Sequence, residues 1–193
     1  MTGNDIVDMK TAAVESNWKR KGFLEKLFTQ QEQQYIKDAA TPLQMVWRLW
    51  TMKESAYKIY TRQYGGRFFA PQKLNCTLLN ETDGQVVIHT KSYQTTTNAA
   101  KDYIYTVAWP EETSKIGFYN CCFGIPGLHQ SGQQKFIYKK MIAGYAVMKG
   151  EDKKNFTIIK DKKNVPYLYC KREKLTVPVS ITHHGNYAAF TIN

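Results

Sequence analysis

The run TPLQMVWRLWTMKESAYKIYTRQYGG, residues 41–66, constrains this chain more than any other. Thr41 can cap a helix, Pro42 suits the first helical turn, and Gly65-Gly66 ends it. Leu49, Met52, Ala56 and Tyr60 recur at spacings of three and four, the period of one packed helical face. Yet Lys53, Glu54 and Lys58 stand among the aromatics of that same helix.

Around it the pattern reads as strands and shorter helices. GNDIVDM, residues 3–9, reads as a short strand rich in β-branched residues. SNWKRKGFLEKLFTQQEQQYIKDA follows with helical spacing of Trp18, Phe23, Leu24, Leu27 and Phe28, and a second helix starts at Thr29, where Thr29-Gln30-Gln31-Glu32 has capping-box form. From Leu74 to Trp109, KLNCTLL, QVVIHTKSY and YIYTVAW are predicted strands, with Asp83-Gly84 a hairpin signal. Residues 110–132 read as a connector. KFIYKKMIAGYAVM then reads as a helix, NFTIIKD as a strand, and PVSITHHGNYAAFTI as strand, turn and strand.

Composition excludes several classes. The chain has 193 residues, 42% hydrophobic and 13% aromatic, which is globular rather than disordered. Its longest apolar runs are too short to span a membrane, and MTGNDIVDMK has none of the features of a secretion signal. Cys76, Cys121, Cys122 and Cys170 form no CxxC pair, so free thiols in a reducing cytoplasm are expected. The net charge of +11, from 27 Lys+Arg against 16 Asp+Glu, implies a polyanionic partner: nucleic acid, an acidic protein or a phosphorylated cofactor.

Glu54 and Lys58 are four apart and project from neighbouring turns of one helix face. An isolated pair of this kind is ordinarily a surface ion pair worth about 0.2–0.5 kcal/mol. A functional reading needs a second carboxylate, and Asp5 offers it, lying in an apolar strand where an unpaired charge is costly. Asp5 with Glu54 makes a hard, all-oxygen pair suited to Mg2+, which takes one or two protein carboxylates and leaves the rest to water and phosphate. At the far end, SITHHG places Ser180, Thr182, His183 and His184 around a strand end, where they can donate to phosphate oxygens; by itself this is equally a surface turn. Zinc-ligand spacing, a P-loop and a Rossmann fingerprint are all absent, and His89 and His129 carry no signal.

Together these segments resemble the 4'-phosphopantetheinyl transferase superfamily. Gly3-Asn4-Asp5 is similar to its Gly-x-Asp strand. Trp50-Thr51-Met52-Lys53-Glu54-Ser55-Ala56-Tyr57-Lys58 meets its Lys-Glu signature in full. FTQQEQQYI resembles its F-T-x-x-E segment, and Ser180-Ile181-Thr182-His183 its Ser-x-Ser-His. The resemblance implies transfer of the 4'-phosphopantetheine arm of coenzyme A (CoA) onto a serine of an acidic acyl or peptidyl carrier protein. It implies that Asp5 and Glu54 bind Mg2+ on the CoA pyrophosphate, that Lys58 and Lys53 neutralise phosphate charge, and that His183 with Thr182 contacts CoA phosphates. Glu54 is the expected acceptor of the serine proton, with Lys58 the weaker candidate because a lysine beside phosphates stays protonated.

The chain departs from the family at named places. Val7 stands where surfactin-type members carry a second carboxylate, and the next acid is Asp8, as in the small holo-acyl-carrier-protein synthases. His184 replaces a small residue. The family's Gly-Lys-Pro appears as Asn164-Val165-Pro166, with Lys162 and Lys163 displaced upstream. Motif order adds an expectation about architecture: an α+β fold of two similar α/β lobes, residues 1–110 and 133–193 joined by 111–132, forming a monomeric pseudo-dimer of the surfactin type with its halves permuted. An enlarged trimeric synthase competes with it. Two further functions stand beside the transferase: an inactive relative that binds CoA or a carrier, and a nucleic-acid-binding module using Tyr64, Phe68 and Phe69, against which the spread of basic residues and the lack of an RNP-like motif speak.

Overall fold

The computed structural model describes residues 1–66, 68–113, 117–125, 127, 130–162 and 164–193, without the side chains of residues 130 and 131. The first half runs β1 (Gly3–Asp8), α1 (Met9–Glu15), α2 (Phe23–Leu27), α3 (Gln30–Asp38), α4 (Pro42–Tyr64), β2 (Leu74–Leu78), β3 (Asp83–Ile88), β4 (Lys91–Ala99) and β5 (Tyr103–Pro110). The second runs β6 (Tyr119–Gly124), α5 (Gln130–Lys149), β7 (Phe156–Lys160), β8 (Pro166–Cys170), β9 (Glu173–His184) and β10 (Tyr187–Ile192). The fold is α+β, as expected.

Both halves use one plan. A first strand leads to a long helix and then to a four-stranded meander, whose last strand pairs back against the first. The sheet orders are β1-β5-β4-β3-β2 and β6-β10-β9-β8-β7, antiparallel throughout. The β6 strand lies inside the segment expected to be a connector, so the second lobe starts earlier than the helix that follows it.

Helix α4 lies on the first sheet, burying Leu49, Met52, Ala56 and Ile59 with Val86, Ile88, Tyr93, Ile104 and Ala108. Helix α5 does the same on the second sheet, where Met141, Tyr145 and Ala146 join Phe156, Leu168 and Phe190. The opposite faces of the two sheets meet through Ile6, Tyr105, Val107 and Ala189. Strand β5 is therefore covered on both sides, which is why YIYTVAW lacks the alternation of a half-exposed strand. Strand β3 does alternate.

The first strand and the helix pack unusually close in each lobe. A Cβ on Gly3 would collide with the Ser55 carbonyl of α4. In the second lobe the glycine is on the helix instead, and a Cβ on Gly144 would meet Tyr119 Oη at 2.7 Å.

Some local expectations change. Strand β1 ends at Asp8, whose side chain caps α1 by accepting from the Lys10 and Thr11 amides. The stretch from Ser16 onward is mostly non-helical until α2. Thr41 makes no side-chain cap, although Pro42 does open α4. Asp83-Gly84 begins β3 rather than forming the turn; Asn80 closes that turn by accepting from the Thr82 and Asp83 amides. QVVIHTKSY is two strands, broken at His89, which adopts φ +54°.

Candidate active site

Strand β1 is buried on both faces, and Asp5 is its intermediate position. Its side chain lies on the face turned toward α4, as Gly3 and Val7 do, because strand side chains alternate. Lys58 reaches it from α4, donating to Asp5 Oδ1 at 2.9 Å and to the Asn4 carbonyl at 2.7 Å. Thr182 reaches the same oxygen from β9 of the other lobe, donating at 2.9 Å. Three chain-distant elements thus converge on one carboxylate.

Glu54 completes the group one helical turn before Lys58. Burial, then the negative charge of Asp5, push its carboxyl up to about 7, against the opposing pull of Lys58. Trp50, Tyr57 and Phe68 line the shallow apolar recess beside it. The two acids are therefore near enough to repel each other in a partly dry setting, the arrangement a cation relieves. Among the described residues no cluster of three or more His, Cys, Asp or Glu is arranged to hold a metal. A two-carboxylate set fits Mg2+, which needs no more from the protein.

Three clefts elsewhere on the molecule carry basic side chains. His183 lines one of about 280 Å3 with Lys160, Gln134, Tyr138 and Asn164. Burial, then Lys160, Lys58 and His184, hold its imidazole below the usual histidine value. Lys162 and Arg62 line a second of about 300 Å3 beside Gly65-Gly66. A third, about 540 Å3, shares Arg62 and Val165 and adds Tyr167 and Lys174.

Lys53 goes elsewhere. Its ammonium donates to Glu32 Oε2 at 2.7 Å, to the Pro71 carbonyl at 2.8 Å and to the Leu27 carbonyl at 3.0 Å. All three donors of the ammonium are committed inside the protein, which leaves none for a phosphate. The sequence held the signal: Lys53 follows Leu49 by four and precedes Ala56 by three, on the buried stripe. Glu32 is the acid of both the capping box and the F-T-x-x-E segment. It does cap α3, accepting from the Thr29 amide, and it is also the buried counter-ion of Lys53 and acceptor of the Cys76 amide.

Asp8 also turns away from Asp5, because three residues along a strand reverse the face. Its carboxylate accepts from the Thr11 hydroxyl and from the backbone and side chain of Asn186, besides capping α1. His184 Nδ1 accepts from the Asp8 amide, and its Nε2 lies 3.4 Å from Glu15. These residues join the lobes; they do not extend the Asp5 cluster. His89 packs on Tyr60 and Phe68. Lys163 and His129 lie outside the described residues.

The second lobe does not repeat the acids. Cys121 is the third residue of β6, as Asp5 is of β1, and both face their own helix.

The sequence pattern defining the 4'-phosphopantetheinyl transferase superfamily matches residues 1–108. No curated protein matches. A solved holo-[acyl-carrier-protein] synthase from Thermotoga maritima is similar at a TM-score of 0.44 and 9% identity, over 90% of this chain and 83% of that one. The matched residues include the Asp5 strand and the whole Glu54–Lys58 helix, and on that match the chain belongs to the 4'-phosphopantetheinyl transferase superfamily.

Proposed function

We propose that this chain transfers 4'-phosphopantetheine from CoA to a serine hydroxyl of an apo acyl or peptidyl carrier protein, with Mg2+, and releases adenosine 3',5'-bisphosphate. Membership of the superfamily supports phosphopantetheinyl transfer in general. The observation that carries the reading to these residues is the convergence of Lys58 and Thr182 on Asp5, with Glu54 beside them.

In this reading Asp5 and Glu54 hold the cation. When bound, it neutralises charge on the CoA diphosphate. Lys58 keeps a fixed ammonium beside the phosphates, where non-bridging and leaving oxygens gain charge as the reaction proceeds. His183 and Lys160 donate to phosphate oxygens in their cleft, and Arg62 with Lys162 supplies positive charge in the next. The carrier serine oxygen bonds to the β-phosphorus as the β-phosphorus–oxygen bond toward the α-phosphate breaks. The serine proton passes to Glu54 as the general base. Lys58 keeps its ion pair with Asp5 beside the phosphate.

The +11 charge favours encounter with a polyanion and an acidic carrier. The site draws on both halves of one chain, and the second half has Cys121 where the first has Asp5. In this reading the protein works as a monomer with one site per chain, in a reducing cytoplasm. No helix among the described residues is long and apolar enough to cross a membrane.

The test is incubation of a panel of apo carrier proteins with CoA, Mg2+ and the protein, followed by intact mass. Gain of one phosphopantetheine arm is expected, lost in Glu54→Gln and Asp5→Asn while both remain folded. Full activity in either variant would defeat the site. Light scattering tests the assembly: a trimer whose sites mix residues of two subunits would replace the monomer.

A further inference from the structure

Resting on the transferase reading, we infer that Thr182 is a positioning residue: its hydroxyl fixes the Asp5 carboxylate for the cation and does not serve as a phosphate ligand. The Thr182 hydroxyl has one proton, and it is donated to Asp5 Oδ1 at 2.9 Å. Lys58 donates to that same oxygen, also at 2.9 Å. Both donors on Oδ1 set the rotation of the carboxylate and direct Oδ2 to whatever the site binds.

The local geometry separates Thr182 from its neighbour. Side chains on β9 alternate, so Thr182 and His183 leave opposite faces of the strand. His183 lines the cleft that holds Lys160, which suits a phosphate. Thr182 is only 6% exposed, and it sits on the face turned to β1. Ser180, two residues before it on that face, accepts from the Asn4 amide at 3.3 Å. Successive same-face hydroxyls of β9 thus grip successive residues of β1. Lys58 holds Asp5 from within its own lobe and Thr182 from the other, so the acid is fully oriented only when the lobes are docked.

The experiment uses the full chain and Mn2+ as the probe ion, with free Mn2+ followed by electron paramagnetic resonance in the presence of CoA. CoA affinity without metal is measured separately by calorimetry. Thr182→Val keeps the shape and removes the donor; Thr182→Ser keeps the donor. The valine variant is expected to weaken Mn2+ retention by about tenfold, the order expected for one hydrogen bond to a charged group, with metal-free CoA affinity unchanged. The serine variant restores Mn2+ retention. Thr182→Ala replaces the valine variant should that one not fold.

Weaker CoA binding with unchanged Mn2+ retention would make Thr182 a phosphate ligand and overturn the inference. So would an unchanged value of both. Wild-type protein that retains no Mn2+ beside CoA would overturn the metal site of the proposed function itself, and this assignment with it, a result visible without any variant.

Discussion

The Lys53 ammonium donates to Glu32 Oε2 at 2.7 Å, with the two side chains 1% and 0% exposed. The next residue, Glu54, belongs to the Asp5 cluster. One peptide unit therefore separates an internal ion pair from the proposed metal site, and α4 is locked in place by the first while presenting the second. Lys53→Met leaves Glu32 charged and buried without its partner. A loss of about 3–5 kcal/mol is expected in chemical denaturation. Lys53→Met with Glu32→Leu should recover much of it, because the stranded charge is gone. Recovery limited to the noise of the measurement would show that the pair matters through its hydrogen bonds to Pro71, Leu27 and Cys76 instead.

Glu54 gives the metal-free protein a signed pH dependence. Its folded value, about 7, stands above the ordinary 4.5 because burial and Asp5 disfavour the charged form. The folded state holds this proton more tightly than the unfolded chain, so the contribution to stability is full below about 4.5 and is lost as pH rises through about 7. The limiting size is about 3 kcal/mol. Glu54→Gln should be more stable than wild type at pH 8 and should differ little at pH 4, measured by thermal unfolding in chelator. Equal gains at both values would remove the titration as the cause.

Asp8 has the opposite sign. Burial raises its carboxyl, but hydrogen bonds from Asn186, Thr11 and Lys10 outweigh this and hold it below the usual carboxylate value. Its stabilisation is present above that usual value and is lost as pH falls through the folded one. Asp8→Ala is expected to cost about 1–2 kcal/mol through the lost helix cap and the broken tie to Asn186. It should also flatten the acid limb of the stability profile. An acid limb identical to wild type would place the acid sensitivity in other residues.

Gly3 tests the close packing of β1 on α4. Gly3→Ala puts a methyl group against the Ser55 carbonyl and Ile59. Rigid backbone cannot move aside as a side chain could, so a loss of about 1–3 kcal/mol or more is expected in denaturant titration. Because Asp5 and Glu54 sit on the two elements being forced apart, transfer should fall even at temperatures where the variant is fully folded. Wild-type activity in a destabilised Gly3→Ala protein would separate the packing from the site.

Much of the site was legible because its chemistry is local in sequence. Glu54 and Lys58 share a helix face by spacing alone, and Asp5 stands out as an acid in an apolar strand. The strand–helix–meander plan also shows in the chain, apart from β6 and the break at His89. These escaped for physical reasons. YNCCFG is an edge strand paired with β10 alone and is half-buried at four of its six positions, so it carries no alternation, and a turn at a histidine in the left-handed region has no glycine to announce it. The inward turn of Lys53 and the role of Asp8 were not legible for a different reason. Both lie within three residues of an acid of the proposed site, and only the face on which a side chain emerges tells partner from bystander.

The sequence alone determined the helix that carries Glu54 and Lys58, the acid-bearing strand, the capping box and the family. Local propensity and spacing suffice for the first three, each written within a few consecutive residues, while the family rests on the resemblance of motifs spread along the chain. Only the tertiary structure decided that Thr182 bonds Asp5 across 177 positions, that Lys53 turns inward to Glu32, and that Asp8 and His184 tie the lobes together. Those choices depend on which faces of distant strands and helices are pressed against each other, and no window of the chain contains both sides of such a contact.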